Sequence, residues 1–357
     1  MLLATSWPSH ARLDQECKKP VFRPGVELAA GSEPGSVLSA DVNSDGAADL
    51  VVTNSGSNNI SVFLGDGKGK FDTGRKYNAG GSPRGVIAQD LNSDGRVDLA
   101  LANFDADNVA VMLGDGSGRF SERKVISVGN GPVALVAGDF DNDGKFDLAV
   151  ANNKSNDVSI LIGDGEGNFN GAVRLPVGAQ PFAILGDDVN QDGRLDLITA
   201  NSASGDVSLL ANEGRGLFSA AVNYAAGKTP VALAVLNSGN QRDLAVTTSG
   251  TSGLALLRSV AGGFASGRNF LAPVAPLFGA GGDLNHDGRM DVAIIDGLTN
   301  VVTIMIANRK GELVPGKPVK LTGEQTICNF VTIGDFNGDR RRDLAVTNSG
   351  RVTIMPG

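Results

Sequence analysis

A nine-residue acidic segment recurs along the chain in the form Asp-x-Asn/Asp-x-Asp-Gly-x-x-Asp, followed by Leu or Val. Its copies begin at Asp41, Asp90, Asp139, Asp188, Asp283 and Asp335. The first four copies are spaced 49 residues apart. An eroded copy from Val235 to Asp243 keeps only Asn237 and Asp243 and fills the one gap in the series. Seven near-equal units result, and equal units of this length are the signature of a ring or array of small supersecondary modules.

Each acidic segment lies inside a longer repeated pattern. In the second unit Gly81-Ser82-Pro83 leads into Arg84–Ala88, then the acidic segment Asp90–Asp98, then Leu99–Ala102. A polar turn from Asn103 to Asn108 follows, then Val109–Leu113, a Gly-Asp-Gly-Ser-Gly turn, and Phe120–Val128. Short β-rich runs bounded by Gly, Asn, Asp and Pro read as strands, and no segment sustains a helical period. Four strands per unit, seven times over, predict an all-β, seven-bladed β-propeller of four-stranded antiparallel blades, because an open solenoid would need distinct end caps.

The termini predict how the ring closes. Phe71, Phe120, Phe169 and Phe218 each stand 9 residues before a glycine (Gly80, Gly129, Gly178, Gly227) and are read as opening the fourth strand. Phe22 and Gly31 repeat that spacing ahead of the first full unit, whereas the last unit stops after its third strand, Val352–Met355. Residues 22–30 are therefore expected to supply the outer strand of the last blade and remove its open edge. The predicted organisation is a tail over 1–21 and one propeller over 22–357, with blades near 32–80, 81–129, 130–178, 179–227, 228–273, 274–323, and 324–357 joined by 22–31.

The spacing inside the acidic segment suits a hard cation. Alternate carboxylates and a carboxamide on one short loop converge only if the backbone wraps around an ion. The candidate ligands are Asp41, Asn43, Asp45 and Asp49; Asp90, Asn92, Asp94 and Asp98; Asp139, Asp141, Asp143 and Asp147; Asp188, Asn190, Asp192 and Asp196; Asp283, Asn285, Asp287 and Asp291; and Asp335, Asn337, Asp339 and Asp343. The carbonyl at position 7 (Arg96 in the second loop) is a further candidate. An EF-hand would need twelve residues ending in Glu between helices, whereas these loops end in Asp at position 9 between strands. Oxygen-only donors favour Ca2+ over zinc or copper, and Mg2+ tolerates such cages poorly. Five well-formed sites are expected. A sixth, at Asp335, is expected to be weak or replaced by internal ion pairs, because Arg340 replaces the glycine and Arg341 and Arg342 follow; the eroded segment at Val235 should be empty. Five divalent ions would move the formal net charge from −8 to about +2.

Stretches such as Asp139-Phe140-Asp141-Asn142-Asp143-Gly144-Lys145-Phe146-Asp147-Leu148-Ala149-Val150 and Val158-Ser159-Ile160-Leu161-Ile162-Gly163-Asp164-Gly165 resemble FG-GAP and VCBS repeats. These are the repeats of the integrin α-subunit propeller and of many bacterial secreted proteins. The resemblance spans residues 22–357. It implies acidic loops joining first and second strands on a lower face, calcium held there structurally, and partners met on the opposite face. Family habit and calcium supply together imply an extracellular or cell-surface location, since extracellular modules bind calcium at about 10⁻⁴–10⁻³ M, a level the cytosol does not reach. Met1-Leu2-Leu3-Ala4 is too short and lacks the basic start of a secretory signal.

The opposite face is expected to bind a protein or glycan. Asn54, Asn103, Asn152, Asn201 and Asn348 recur in the turns after the second strands. They either cap those strand ends or form a ring of amides facing a ligand. Arg84, Phe104 and Lys154 are their least repeat-like neighbours, and Phe182 lies in an equivalent leading loop. A calcium-stabilised adhesion or binding propeller is the expected function, with a lectin as the first alternative. The aromatic content of 5%, with the sole Trp at Trp7, gives sugars few platforms. A polysaccharide-acting enzyme is the second alternative. It has only His10 and His286 to draw on, and no nucleophile elbow, phosphate loop or dinucleotide fingerprint. The acidic balance argues against nucleic acid, no run reaches membrane-spanning length, and a monomer is expected. Cys328 stands where Pro34, Pro83, Pro132, Pro181 and Pro276 stand in other units. A Cys17–Cys328 bridge is disfavoured, because five extended residues reach only about 17 Å.

Overall fold

The computed structural model describes residues 20–23, 25–238, 241–250, 253–265, 269–271, 276–296, 301–309, 312–321 and 329–357. Cys17, Cys328, Trp7 and His10, with the tail that carries three of them, lie outside the described residues.

Every described element is a strand, and the strands form seven antiparallel blades. Blade 1 contains Pro34–Ala40, Asp49–Asn54, Asn59–Phe63 and Arg75–Asn78, hydrogen-bonded in chain order. Blades 2, 3 and 4 repeat it from Pro83–Gln89, Pro132–Gly138 and Pro181–Asp187 outward. In blade 5 (Pro230–Ser238, Gln241–Thr248, Gly253–Val260) and blade 6 (Pro276–Gly282, Asp291–Asp296, Val301–Ala307) the outer strand is split, and two short segments pair the third strand of each. Blade 7 is Val331–Gly334, Asp343–Asn348 and Arg351–Met355, completed by Val26–Ala29.

The first strands of successive blades lie against one another around the axis, and that of blade 7 meets that of blade 1, so the ring is closed. The predicted seven-bladed propeller is the observed fold. The second strands explain why the blades pack. All six residues of Asp49–Asn54 are buried, as are those of Asp98–Asn103, Asp147–Asn152 and Asp196–Asn201, because a neighbouring blade covers each side. Period-two alternation sends Val51 toward blade 2, where it packs with Leu99, Leu101 and Met112, while Leu50 and Val52 turn toward Ala345, Val352 and Ile354 of blade 7. Each of these fully buried aliphatic side chains contributes roughly 1.5–3 kcal/mol.

Closure uses the predicted segment in a shifted frame. Leu28 pairs with Val352, and Glu27 forms an ion pair with Arg351. Phe71, Phe120, Phe169 and Phe218 do not open the fourth strands; the first three each bridge a glycine of the preceding turn (Gly65, Gly114, Gly163), Phe218 pairs with Asn212, and the strands begin four residues later at Arg75, Lys124, Val173 and Val222. The phenylalanine fills the seam beneath the turn, which leaves it too far from the third strand's ladder to start a pairing. The seam between blades 7 and 1 is also hydrogen-bonded: the Thr347 hydroxyl donates to the Gly35 carbonyl (2.9 Å) and the Asn329 amide to the Pro34 carbonyl (2.8 Å).

Deleting residues 20–30 is expected to lower the thermal midpoint and turn monomer into aggregate, read by differential scanning calorimetry and light scattering. Leu28→Ala alone should cost about 2 kcal/mol or more. A truncated protein that stays monomeric with an unchanged midpoint contradicts the closure role.

Candidate metal centres and ligand-binding face

The acidic loops join first to second strands, so all of them lie at one end of the ring. In the blade 2 loop, Asp90 Oδ1 accepts the Asp94 N–H (3.1 Å) and Oδ2 the Gly95 N–H (2.8 Å), while Asp94 Oδ1 accepts the Arg96 N–H (2.9 Å). The same bonds recur in the loops of blades 1, 3, 4 and 6. Positions 4 and 6 take the left-handed conformation, as at Ser93 (φ 59°) and Gly95 (φ 80°). A Cβ on Gly95 would meet nothing within 4 Å, so the glycine serves the dihedral angle and not the space. Position 2 is an apolar plug: Val42, Leu91, Phe140, Val189, Leu284 and Phe336 are all buried. Reading the loops for carboxylates alone overlooks it, although its signal is an apolar residue after the first Asp in every copy.

Position 9 is the most constrained member of the set. Asp49, Asp98, Asp147, Asp196, Asp291 and Asp343 are fully buried. Each accepts a backbone N–H from position 2 and another from the exit of the third strand; for Asp98 these are Leu91 (2.9 Å) and Gly114 (2.8 Å). Burial pushes the carboxyls of Asp49, Asp147 and Asp291 up to about 6, against the pull of the two N–H donors and with help from the neighbouring loop carboxylates. Asp98, Asp196 and Asp343 are raised for the same reason.

In blade 3, the one loop with Asp at position 3, carboxylate oxygens of Asp139, Asp141 and Asp147 lie within 4.8 Å of one another. Positions 1, 3 and 9 thus come together. Asp143 at position 5 instead faces Lys145 (3.2 Å), and Asp192 and Asp287 pair with Arg194 and Arg289 in the same way. An all-oxygen set wrapped by its own backbone fits a hard divalent cation. The blade 7 loop keeps the wrap with its glycine moved: Gly338 sits at position 4 and Arg340 takes φ 66° at position 6. Asp335 accepts from Gly338 and Arg340, Asn337 from Asp339, and Asp339 from Arg341. Arg340, Arg341 and Arg342 are exposed and form no ion pair with these carboxylates among the described residues, so the substitution by internal ion pairs is not what the structure shows. In blade 5 the acidic loop is absent. The first two strands stay paired through Asn237↔Arg242 and Ser238↔Gln241, and Asp243 accepts from Ser259 N–H (2.9 Å) and the Arg258 guanidinium (2.7 Å).

The loops sit in the seams between blades. The Gly69 N–H of blade 1 donates to Phe336 of the blade 7 loop (3.0 Å), and the Gly216 N–H of blade 4 donates to Phe140 of the blade 3 loop (3.1 Å).

At the opposite end, Asn54, Asn103, Asn152 and Asn201 are fully buried. Their amides bond to neighbouring protein groups, as Asn152 Nδ2 does to Asp157 (2.7 Å) and Ser159 (2.9 Å) and Asn103 Nδ2 to Asn108 (2.9 Å) and the Ala79 carbonyl (2.8 Å). The ring of amides facing a ligand does not survive that burial, and the alternative of strand-end capping describes the geometry. Arg84, Phe104 and Lys154 do come together. The Arg84 guanidinium carbon lies 3.8 Å and Lys154 Nζ 4.1 Å from the Phe104 ring centroid, which two cations can share only from opposite faces. Lys154 is also 3.7 Å from Asp105. Partial desolvation lowers the Arg84 pKa, opposed by Asp105 and Glu33, and the guanidinium remains charged. Phe182 lies apart from this cluster, on the wall of a central cavity of about 800 Å³ that Arg84 also lines.

A closed seven-bladed ring with acidic hairpin loops on one face defines an acidic-loop type of β-propeller. Residues 41–101, 90–150, 139–199 and 283–346, more than half of the chain, match the FG-GAP-like repeat. The chain belongs to that family. Among curated proteins, none matches it in sequence. Solved structures share the fold at low identity. BBS1N, in complex with ARL6DN, superimposes with a TM-score of 0.68 at 14% identity over 94% of this chain and 97% of its own. Virginiamycin B lyase from Staphylococcus aureus gives 0.67 at 13% over 94% and 100%. An Agrocybe aegerita lectin that recognises non-reducing terminal N-acetylglucosamine gives 0.56 at 18% over 81% and 80%.

The raised position-9 carboxyls set a pH dependence of known sign. In metal-free protein the folded state binds protons more tightly than the unfolded chain, so these groups add stability as pH falls through about 6 toward 4. Unfolding midpoints measured in chelator should therefore rise between about pH 7 and pH 5, whereas midpoints in calcium should fall as protons compete with the ion. Parallel curves under both conditions refute the assignment.

Proposed function

We propose that this protein is a calcium-fastened, non-catalytic binding or adhesion propeller that works outside the cell and offers its loop-free face to a protein or glycan. The observation that carries the reading is the division of the two ends. One end is occupied by repeated acidic loops locked into the seams, and the other holds a non-repeating group, Arg84, Phe104, Lys154 and Asp105, together with an open cavity.

On this reading Asp90, Asn92, Asp94 and Asp98, and their equivalents in blades 1, 3, 4 and 6, hold calcium. The ion supplies positive charge that compensates the clustered carboxylates. The chain's own part is to wrap the loop, seat the position-2 plug and clip the next blade's turn to it. Asp335, Asn337, Asp339 and Asp343 form the weaker site, because Arg340 carries a positive charge on the loop itself.

A catalytic role has little support on this chain. His286 sits at position 4 of an acidic loop (φ 59°), at the end remote from the cavity. One neighbour, the lyase, is inactivated when a histidine is replaced by alanine. Likeness to that enzyme and to the lectin is a likeness of fold.

With millimolar calcium and a site constant near 10⁻⁴ M, each site adds about 1.4 kcal/mol. Chelator should lower the unfolding midpoint, and Asp90→Asn with Asp94→Asn should remove one bound calcium while sparing the rest. Asp98 is left intact, since its loss would orphan two buried N–H groups whether or not metal binds. For the binding face, a surface coated with the protein should capture cells in calcium. Arg84→Ala with Lys154→Ala should abolish capture, and Lys68→Ala at the loop end should not. A midpoint indifferent to chelator removes the fastening role, and capture indifferent to the double variant removes the face assignment.

A further inference from the structure

The cavity at the mouth of the ring has chemistry that the repeat does not explain. We propose that it is a small-molecule site for an amphipathic anion: a carboxylate or sulfonate carried on an aromatic or branched aliphatic body. The inference deepens the reading of this end as the binding face and rests on it.

The volume of about 800 Å³ falls within the roughly 300–1,000 Å³ of ligand pockets. The wall on blades 4 to 7 is apolar. Phe182, Ile184, Leu233, Leu277, Phe278 and Phe330 converge there from the first strands of blades 4 to 6 and the residue leading into that of blade 7, which the chain separates widely. All six are only partly buried, with Phe278 and Phe330 tilted together at 4.3 Å between ring centroids. Partly exposed apolar side chains aimed at one space leave hydrophobic surface that a ligand's apolar body would cover. Such a wall offers a sugar few hydrogen-bonding groups.

The polar anchors lie across the cavity, on blades 1 and 2. Arg84 forms no ion pair among the described residues, and stacking on Phe104 fixes where its guanidinium points. A partly desolvated, pre-positioned guanidinium matches a carboxylate or sulfonate in two-point geometry. Glu33 lines the same cavity and its charge is felt at Arg84. Two cations, Arg84 and Lys154, offset by two carboxylates, Asp105 and Glu33, admit a monoanion and disfavour phosphates of higher charge.

The rim is also strained. Glu33, Ser82, Gln180 and Thr229 each take φ between 50° and 55° immediately before the proline that opens a first strand. For the β-branched Thr229 that is a costly conformation. Backbone held in such regions clusters where geometry serves binding. Ser82 and Gln180 are clamped there from the preceding blade by Asn58 and Asn156, each at 2.7 Å.

Two fluorescent probes test the proposal on calcium-loaded protein: anionic 1-anilino-8-naphthalenesulfonate and neutral N-phenyl-1-naphthylamine. Both are expected to bind one saturable site, and Ala183→Trp, which fills the cavity from blade 4, should abolish both while circular dichroism and midpoint stay unchanged. Arg84→Gln should weaken the sulfonate about tenfold, the loss of one charge-assisted bond, and leave the neutral probe unaffected. Glu33→Gln should tighten the sulfonate. No saturable binding, or binding indifferent to Ala183→Trp, overturns the site; equal loss of both probes in Arg84→Gln overturns the preference for an anion. Cell capture failing while the probes bind removes the macromolecular partner and keeps the cavity. Probe failure with capture intact does the reverse.

Discussion

A buried carboxylate near or at the start of the second strand recurs in all seven blades: Asp49, Asp98, Asp147, Asp196, Asp243, Asp291 and Asp343. Its two oxygens tie the incoming loop to the exit of the third strand, so one side chain sets the distance between three strands at one end of a blade. Taking a carboxylate out of water is costly, and two N–H donors recover only part of that cost, which is why the raised proton affinity persists. A cation beside the carboxylate would supply the rest. The structural need for the aspartate thus comes first, and on the proposed reading an ion would be held beside a charge that the fold has already buried.

Blade 5 isolates these two roles. The acidic loop is gone, the first two strands run on in register, and yet Asp243 remains with one N–H partner. The second place is taken by the Arg258 guanidinium. A covalently attached cation there balances the buried charge, which the other blades meet with a second backbone N–H and, on the proposed reading, with an ion. Arg242 reaches Asp187 of blade 4 and holds that seam from the same end. A ring with one arginine-balanced blade needs no ion at that point to remain closed.

What could be read in advance follows from the range over which each feature is encoded. The wrap of the acidic loops lies within nine consecutive residues, and Asp, Asn and Gly at fixed places specify it. The blade count and the contribution of the amino-terminal strand follow from a spacing repeated in register. The role of Phe71, Phe120 and Phe169 was legible only in part, because an aromatic after a turn reads equally as a strand start or as a plug under that turn, and packing between blades decides. Asn54 and its equivalents were ambiguous in the same way: a polar residue at a strand end can be buried only where partners stand near its amide, and these are Ser61, Ser159 and Ser208 for Asn54, Asn152 and Asn201 but the Ala79 carbonyl and Asn108 for Asn103. The cavity was the least legible feature. Phe182, Leu233, Phe278 and Phe330 lie in different repeats, and only ring closure makes them neighbours.

The two ends of the ring therefore obey different rules. At the loop end each repeat solves the same local problem, balancing a buried carboxylate, and the solutions can be exchanged one blade at a time, as Arg258 and the displaced glycine at Gly338 show. At the other end no repeat is complete alone. Arg84 needs Phe104 from its own blade and Phe104 needs Lys154 from the next, while the apolar wall takes residues from four blades. A substitution at the loop end perturbs one seam, whereas a change in the angle between any two blades reshapes the whole cavity. On the proposed reading, that asymmetry gives the fastening at one end its purpose: it would hold the blade angles on which the composite cavity at the other end depends.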